Sequence, residues 1–178
     1  MIRSRRHWWV VALAALLALG AGLWVRQAGE RDRPNPAAPK MLFGTAFRDL
    51  GGGMKNLEPW RGNVLVVNFW ATWCAPCREE TPALVRIQQR YAANGVQVIG
   101  IAFDSAEKVQ PFADEFRVNY PMLLAGAELF PLLTELGNRA GGLPFTVFVD
   151  RQGRIHKTHL GALDDGALAK ILDPLAAK

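Results

Sequence analysis

Eight consecutive residues, Asn63–Trp70 (NVLVVNFW), are almost entirely apolar and mostly β-branched or aromatic. A strand of that composition has no face to offer to water, so it must lie in the middle of a sheet covered on both sides. From Cys77 to Asn94 the apolar residues Leu84, Ile87 and Tyr91 recur on a polar background and stop at Asn94-Gly95, which predicts an amphipathic helix with a glycine end. Val96–Phe103 is a second run of buried-strand type. The separation of about 26 residues leaves room for a right-handed βαβ crossover, so the two strands are expected to be parallel.

The remaining segments extend this into a single α/β domain. Ala46–Asp49 and Met54–Asn56 flank Leu50-Gly51-Gly52-Gly53, the pattern of a short hairpin with glycine in the turn. Ser105–Phe116 reads as a helix in two pieces, because Pro111 has no N–H to continue the ladder. A short strand is expected over Pro121–Leu124 and a short helix over Glu128–Leu136. Phe145–Asp150 and Arg154–Leu160 flank Arg151-Gln152-Gly153 as a second hairpin, and Asp164–Ala176 forms a terminal helix capped by Asp164 or Asp165.

The N-terminus is of a different kind. Trp8–Val25 is an uncharged run of 18 residues, bounded by Trp8 and Trp9 at one end and Trp24 at the other. As a helix it reaches roughly 27 Å, close to a hydrocarbon thickness of about 30 Å. Arg3, Arg5 and Arg6 precede it, which favours a cytoplasmic N-terminus and an exported body. The expected division is therefore 1–25, a cytoplasmic stub and transmembrane anchor; 26–40, a proline-containing linker; and 41–178, the folded domain. A signal peptide cleaved after Ala18-Leu19-Gly20 is the alternative, leaving a soluble periplasmic protein. The net charge of +5 does not indicate a nucleic-acid partner: six Arg against Glu30 and Asp32 fall within residues 1–33, and the rest of the chain carries 15 basic and 14 acidic residues.

Both cysteines lie in Trp73-Cys74-Ala75-Pro76-Cys77-Arg78, where the first buried strand gives way to the helix. At a helix start, unpaired N–H groups and the helix dipole favour negative charge, so the thiol of Cys74 is expected to ionise below the free value of about 8.5. Cys77 lies three residues on along the same face and is able to close a small disulfide with it. Pro76 suits the first helical turn.

The run Val67–Pro82 (VNFWATWCAPCREETP), with Gly142–Asp150 (GLPFTVFVD) much later, resembles the thioredoxin superfamily. More narrowly it resembles the membrane-anchored TlpA/ResA-like thiol-disulfide oxidoreductases of the bacterial envelope. The resemblance covers roughly residues 40–176 and implies a thioredoxin-like fold with an added N-terminal hairpin and an inserted helix and strand. It implies that Cys74 is an exposed nucleophile, Cys77 a buried resolving thiol, and Pro144 a cis-proline whose neighbour Leu143 pairs with a bound peptide. It also implies that Glu80 accepts the proton of Cys77, a role for which cytoplasmic thioredoxins use a buried Asp at the position of Asn68, which cannot titrate. Trp73, Ala75, Pro76, Leu143 and Pro144 are then the expected substrate-contacting residues. Expected partners are protein thiols and disulfides and a membrane thiol-disulfide electron donor; no organic cofactor or metal is required. Reduction of protein disulfides, as in cytochrome c or copper-protein maturation or redox homeostasis, is the implied function. Phe145 stands where the cytochrome c maturation branch commonly has an acidic residue.

Other uses of the cysteine pair fit less well. A zinc site would need His156 and His159, which odd spacing on a strand sends to opposite faces, and c-type haem attachment needs His where Arg78 stands. A purely structural disulfide closing so short a loop removes little unfolded-state entropy. A thiol peroxidase on the same fold would have Pro seven residues before its cysteine, where this chain has Val67. A copper-delivery module would want His or Met beside the pair, and neither is there.

Overall fold

A computed structural model describes residues 8, 11–22 and 34–177. The chain divides into two compact units, Met1–Arg33 and Pro34–Lys178. In the first, residues 11–22 are helical, and among the described residues no helix is long and apolar enough to cross a membrane. The expected anchor, Trp8–Val25, is described only at Trp8 and over 11–22; residues 26–33 of the linker lie outside the described residues.

The second unit starts within the stretch that composition assigns to the linker. Helix α1 (Ala38–Gly44) has Pro39 in its first turn, where a missing N–H breaks no helical bond, and buries Ala38, Leu42 and Phe43. The Asn35 N–H donates to the Glu135 carbonyl at 2.8 Å. Residues 34–40 thus belong to the fold.

A seven-stranded sheet follows: β1 (Phe47–Asp49), β2 (Met54–Lys55), β3 (Val64–Trp70), β4 (Val96–Ala102), β5 (Met122–Leu124), β6 (Phe145–Val149) and β7 (Ile155–Leu160), in the order β2-β1-β5-β4-β3-β6-β7. Strands β3, β4 and β5 are parallel, and the remaining pairs are antiparallel. The expected βαβ unit is present, with β3 wholly buried at the centre. Its two faces separate by residue parity. Val64, Val66 and Trp70 pack under α2 (Ala75–Tyr91), α3 (Ala106–Glu115) and α5 (Asp165–Ala176). Leu65, Val67 and Phe69 pack with α1 and α4 (Leu129–Glu135) on the other face. Asn68 is the exception, a buried amide on the α2 side of an apolar strand.

Both hairpins form as expected, β1–β2 and β6–β7. Asp164 is the cap of α5, accepting from the Ala167 N–H at 2.7 Å. One expectation is corrected: α3 is a single helix through Pro111, not two pieces. Pro111 lies on the exposed face, so the carbonyl it leaves without a partner is in reach of water.

The sheet also fixes where distant loops meet. Phe69 pairs with Phe145 in antiparallel register, so the next positions outward are Trp70 and Pro144. The loop that leaves β3 toward Cys74 and the loop that enters β6 through Pro144 therefore share one end of the sheet.

Candidate active site

Cys74 is the N-cap residue of α2, with extended backbone, and its carbonyl accepts the first helical bond, from the Arg78 N–H at 3.2 Å. The helix begins at Ala75, so Cys74 stands just before the first turn, as expected, and Ala75, Pro76 and Cys77 form that turn. Cys74 and Cys77 are disulfide-bonded, with Cα atoms 5.3 Å apart. Helical spacing brings the two sulfurs together without distortion of the backbone. Neither residue is freely exposed: Cys74 retains 6% of its surface and Cys77 1%. The expected order of accessibility is observed, but the expectation of an exposed Cys74 is corrected, because in the disulfide form both residues pack in the core under α2.

Around them the expected contact residues separate clearly. Trp73 is 66% exposed, and Ala75 and Pro76 are exposed with it, whereas Trp70 is buried against Phe112. The Leu143–Pro144 peptide is cis. Pro144 is buried and gives its carbonyl to the Gly161 N–H at 2.8 Å, while Leu143 is half-buried between the two cores. Neither the N–H nor the C=O of Leu143 has a hydrogen-bond partner among the described residues.

Glu80, one turn after Cys77, points inward and is 3% exposed. Its Oε1 accepts from Asn68 Nδ2 at 2.6 Å and its Oε2 from the Leu163 N–H at 3.0 Å. The same Asn68 amide donates to Thr146 Oγ1 at 3.0 Å. Burial pushes the Glu80 carboxyl up to about 7, against the opposing pull of the Leu163 N–H and the Asn68 amide. Burial also raises the phenol of Tyr120, with the nearby Glu80 charge adding to the effect. The arrangement is a carboxyl poised near neutrality in the same core as the disulfide, able to hold or release one proton at physiological pH.

From sequence, Asn68 stands out only as a residue unable to titrate. Its role as the donor that connects β3, α2 and β6 depends on register: Asn68 pairs with Thr146, and both face α2. The contact with Leu163 joins residues 83 apart in sequence and leaves no local signal. A second feature without a sequence signal is Asp104, just beyond β4. It accepts from the Thr72 hydroxyl in the loop before Cys74, from the Ser105 N–H at 2.9 Å and from Lys108 at 3.2 Å. Burial pushes its carboxyl up, yet these donors together hold it below its ordinary value. Among the described residues no three of His, Cys, Asp or Glu are grouped so as to hold a metal ion.

The family model described as Redoxin matches residues 38–173. The thiol:disulfide interchange protein HelX of Rhodobacter capsulatus is 35% identical over 169 residues, 89% of each chain. The thiol-disulfide oxidoreductase ResA of Halalkalibacterium halodurans is 24% identical over 174 residues, 97% of each. Among solved structures, a secreted thiol-disulfide isomerase from Corynebacterium glutamicum superposes with a TM-score of 0.68 at 27% identity, covering 75% of this chain and 84% of that one. With a CxxC pair at the start of α2, a cis-proline at the same sheet end and these relatives, the chain belongs to the Redoxin family and is a TlpA/ResA-like thiol-disulfide oxidoreductase of the thioredoxin superfamily.

Proposed function

We propose that this oxidoreductase works in the reducing direction on protein disulfides outside the cytoplasm. In the dithiol form the Cys74 thiolate, favoured at the start of α2, attacks one sulfur of a substrate disulfide and expels the other as a thiolate. The substrate segment pairs with the free backbone of Leu143 as an added β-strand, with the exposed Trp73, Ala75 and Pro76 forming the contact rim and Pro144 fixing the peptide plane behind Leu143. Cys77 then gives its proton to the Glu80 carboxylate and attacks Cys74, releasing the second substrate thiolate and leaving the enzyme disulfide. Two electrons pass to the substrate, and a membrane thiol-disulfide donor restores the dithiol. No cofactor takes part.

The observation that carries this reading is Glu80 itself: a buried carboxyl pushed up to about 7, one turn beyond Cys77 in the same core. A carboxyl near neutrality is suited to take a thiol proton and to release it again. The N-terminal Arg cluster and the apolar run after it support an anchored enzyme with its N-terminus in the cytoplasm, and the secreted C. glutamicum relative agrees with an exported domain. Cytochrome c or copper-protein maturation and general redox homeostasis are the substrate settings this chemistry serves.

The roles are tested by trapping. Cys77→Ala retains substrate proteins as adducts on Cys74 that dithiothreitol releases, and Cys74→Ala retains none. Equal capture by both variants, or by neither, refutes the assignment. Carbonate extraction of membranes from cells making the full chain leaves an anchored protein in the pellet and a cleaved one in the supernatant.

A further inference from the structure

The loop that presents Leu143 has one backbone anchor, the Gly141 N–H donating to the Asn138 carbonyl at 3.2 Å, and little else of its own. Arg139 and Ala140 are exposed, Gly141 has φ +64, and a Cβ at Gly142 would lie 3.0 Å from Leu160 Cδ1. A glycine pair has many conformations to lose on ordering. The order has to be imposed from elsewhere.

Asn138 supplies it. Helix α4 ends in a complete glycine-capped turn: the Gly137 N–H donates to the Thr134 carbonyl at 3.1 Å and the Asn138 N–H to the Leu133 carbonyl at 2.8 Å, with Gly137 at φ +93. That cap fixes the backbone of Asn138, a residue only 4% exposed. Its Nδ2 donates to the Gly142 carbonyl at 2.8 Å, and its Oδ1 accepts from the Gly142 N–H at 3.2 Å. The side-chain amide therefore meets both backbone groups of one residue, as a neighbouring strand would, and that residue immediately precedes Leu143.

We infer that Asn138 is a positioning residue for substrate: it holds Gly142 so that the unpartnered N–H and C=O of Leu143 are already set to receive an extended substrate backbone. The inference rests on the proposed pairing of substrate with Leu143. A preorganised edge avoids the ordering cost at the moment of binding. Loss of these two partly buried hydrogen bonds lowers binding roughly tenfold. Asn138 has no part in the exchange chemistry, which takes place at Cys74 and Cys77.

The test compares two disulfides with the same leaving group. One is an extended octapeptide whose single cysteine is activated as a mixed disulfide with thionitrobenzoate; the other is 5,5′-dithiobis(2-nitrobenzoate), which has no peptide backbone. Release of thionitrobenzoate from each is followed with the reduced full chain. In Asn138→Ala the single-turnover second-order rate constant for the peptide falls roughly tenfold, mainly through a higher half-saturating peptide concentration, while the rate with the small disulfide falls less than twofold. Asn138→Asp keeps the acceptor for the Gly142 N–H and loses the donor to its carbonyl; it shows the same selective loss, at least threefold, and carries the test if the alanine variant does not fold. Equal losses on both substrates, or no loss on the peptide, overturn the role of Asn138. A wild-type protein that reacts with neither disulfide refutes the exchange activity itself.

Discussion

Replacing Glu80 with Gln makes the raised carboxyl measurable as a change in stability with pH. In the folded protein burial pushes Glu80 from 4.5 up to about 7, so between those values the folded chain holds a proton that the unfolded chain has released. Stability from the neutral carboxyl is complete below pH 4.5 and is lost as pH rises to about 7. The difference of about 2.5 pH units corresponds to about 3 kcal/mol. Glutamine stays neutral at every pH, but its Nε2 cannot accept from the Leu163 N–H, which costs about 1–2 kcal/mol throughout. The two effects cross. At pH 5, where part of the wild-type stabilisation is already gone, the oxidised wild type is more stable than Glu80→Gln by up to about 1 kcal/mol, and at pH 8 the order reverses by about 1–2 kcal/mol. Guanidinium unfolding of both oxidised proteins at several pH values gives the curves, and all other titrating groups cancel in the difference. Parallel curves from pH 4.5 to 8 would show that Glu80 ionises as an ordinary surface carboxyl, and the proton-acceptor role would go with it.

Asn68→Asp places a second carboxyl beside Glu80 in place of a donor at 2.6 Å. Two carboxyls in one buried site share a proton, so the variant loses several kcal/mol at pH 8 and recovers much of it near pH 5, readable from the same unfolding series. Gly100→Ala puts a Cβ 2.5 Å from Met122 Sδ and 3.2 Å from Trp70 Nε1. Overpacking there costs about 1–3 kcal/mol in thermal or denaturant unfolding, and an unchanged midpoint would mean that the core beneath β3 and β4 yields freely.

The central βαβ unit is legible in the amino-acid order because its signals are local. Residues 63–70 lack a polar face, and the periodicity through Leu84, Ile87 and Tyr91 repeats within one helix. The same holds for the two cysteines, whose spacing alone brings them together at a helix start. Glu80 and the cis-proline are reached only by resemblance, since one acidic residue on a helix and one X–Pro bond carry no signal of their own. Helix α1 is hidden because Pro34, Pro36 and Pro39 give it the composition of a linker, while its folding depends on Leu42 and Phe43 meeting the far face of the sheet. Pro111 misleads in the opposite direction, because whether a proline interrupts a helix depends on which side faces water.

By itself, then, the amino-acid order determined where the strands and the active-site helix lie and that the cysteines share one turn, since these depend on neighbours within a few positions. Tertiary structure alone decided how far Cys74 is covered, that Asn68, Thr146 and Leu163 surround Glu80, and that Asn138 grips Gly142 ahead of Leu143. Burial and hydrogen-bond partners are properties of the packed chain: the desolvation that raises Glu80 comes from segments that meet only when β3, α2 and the start of α5 close on one another.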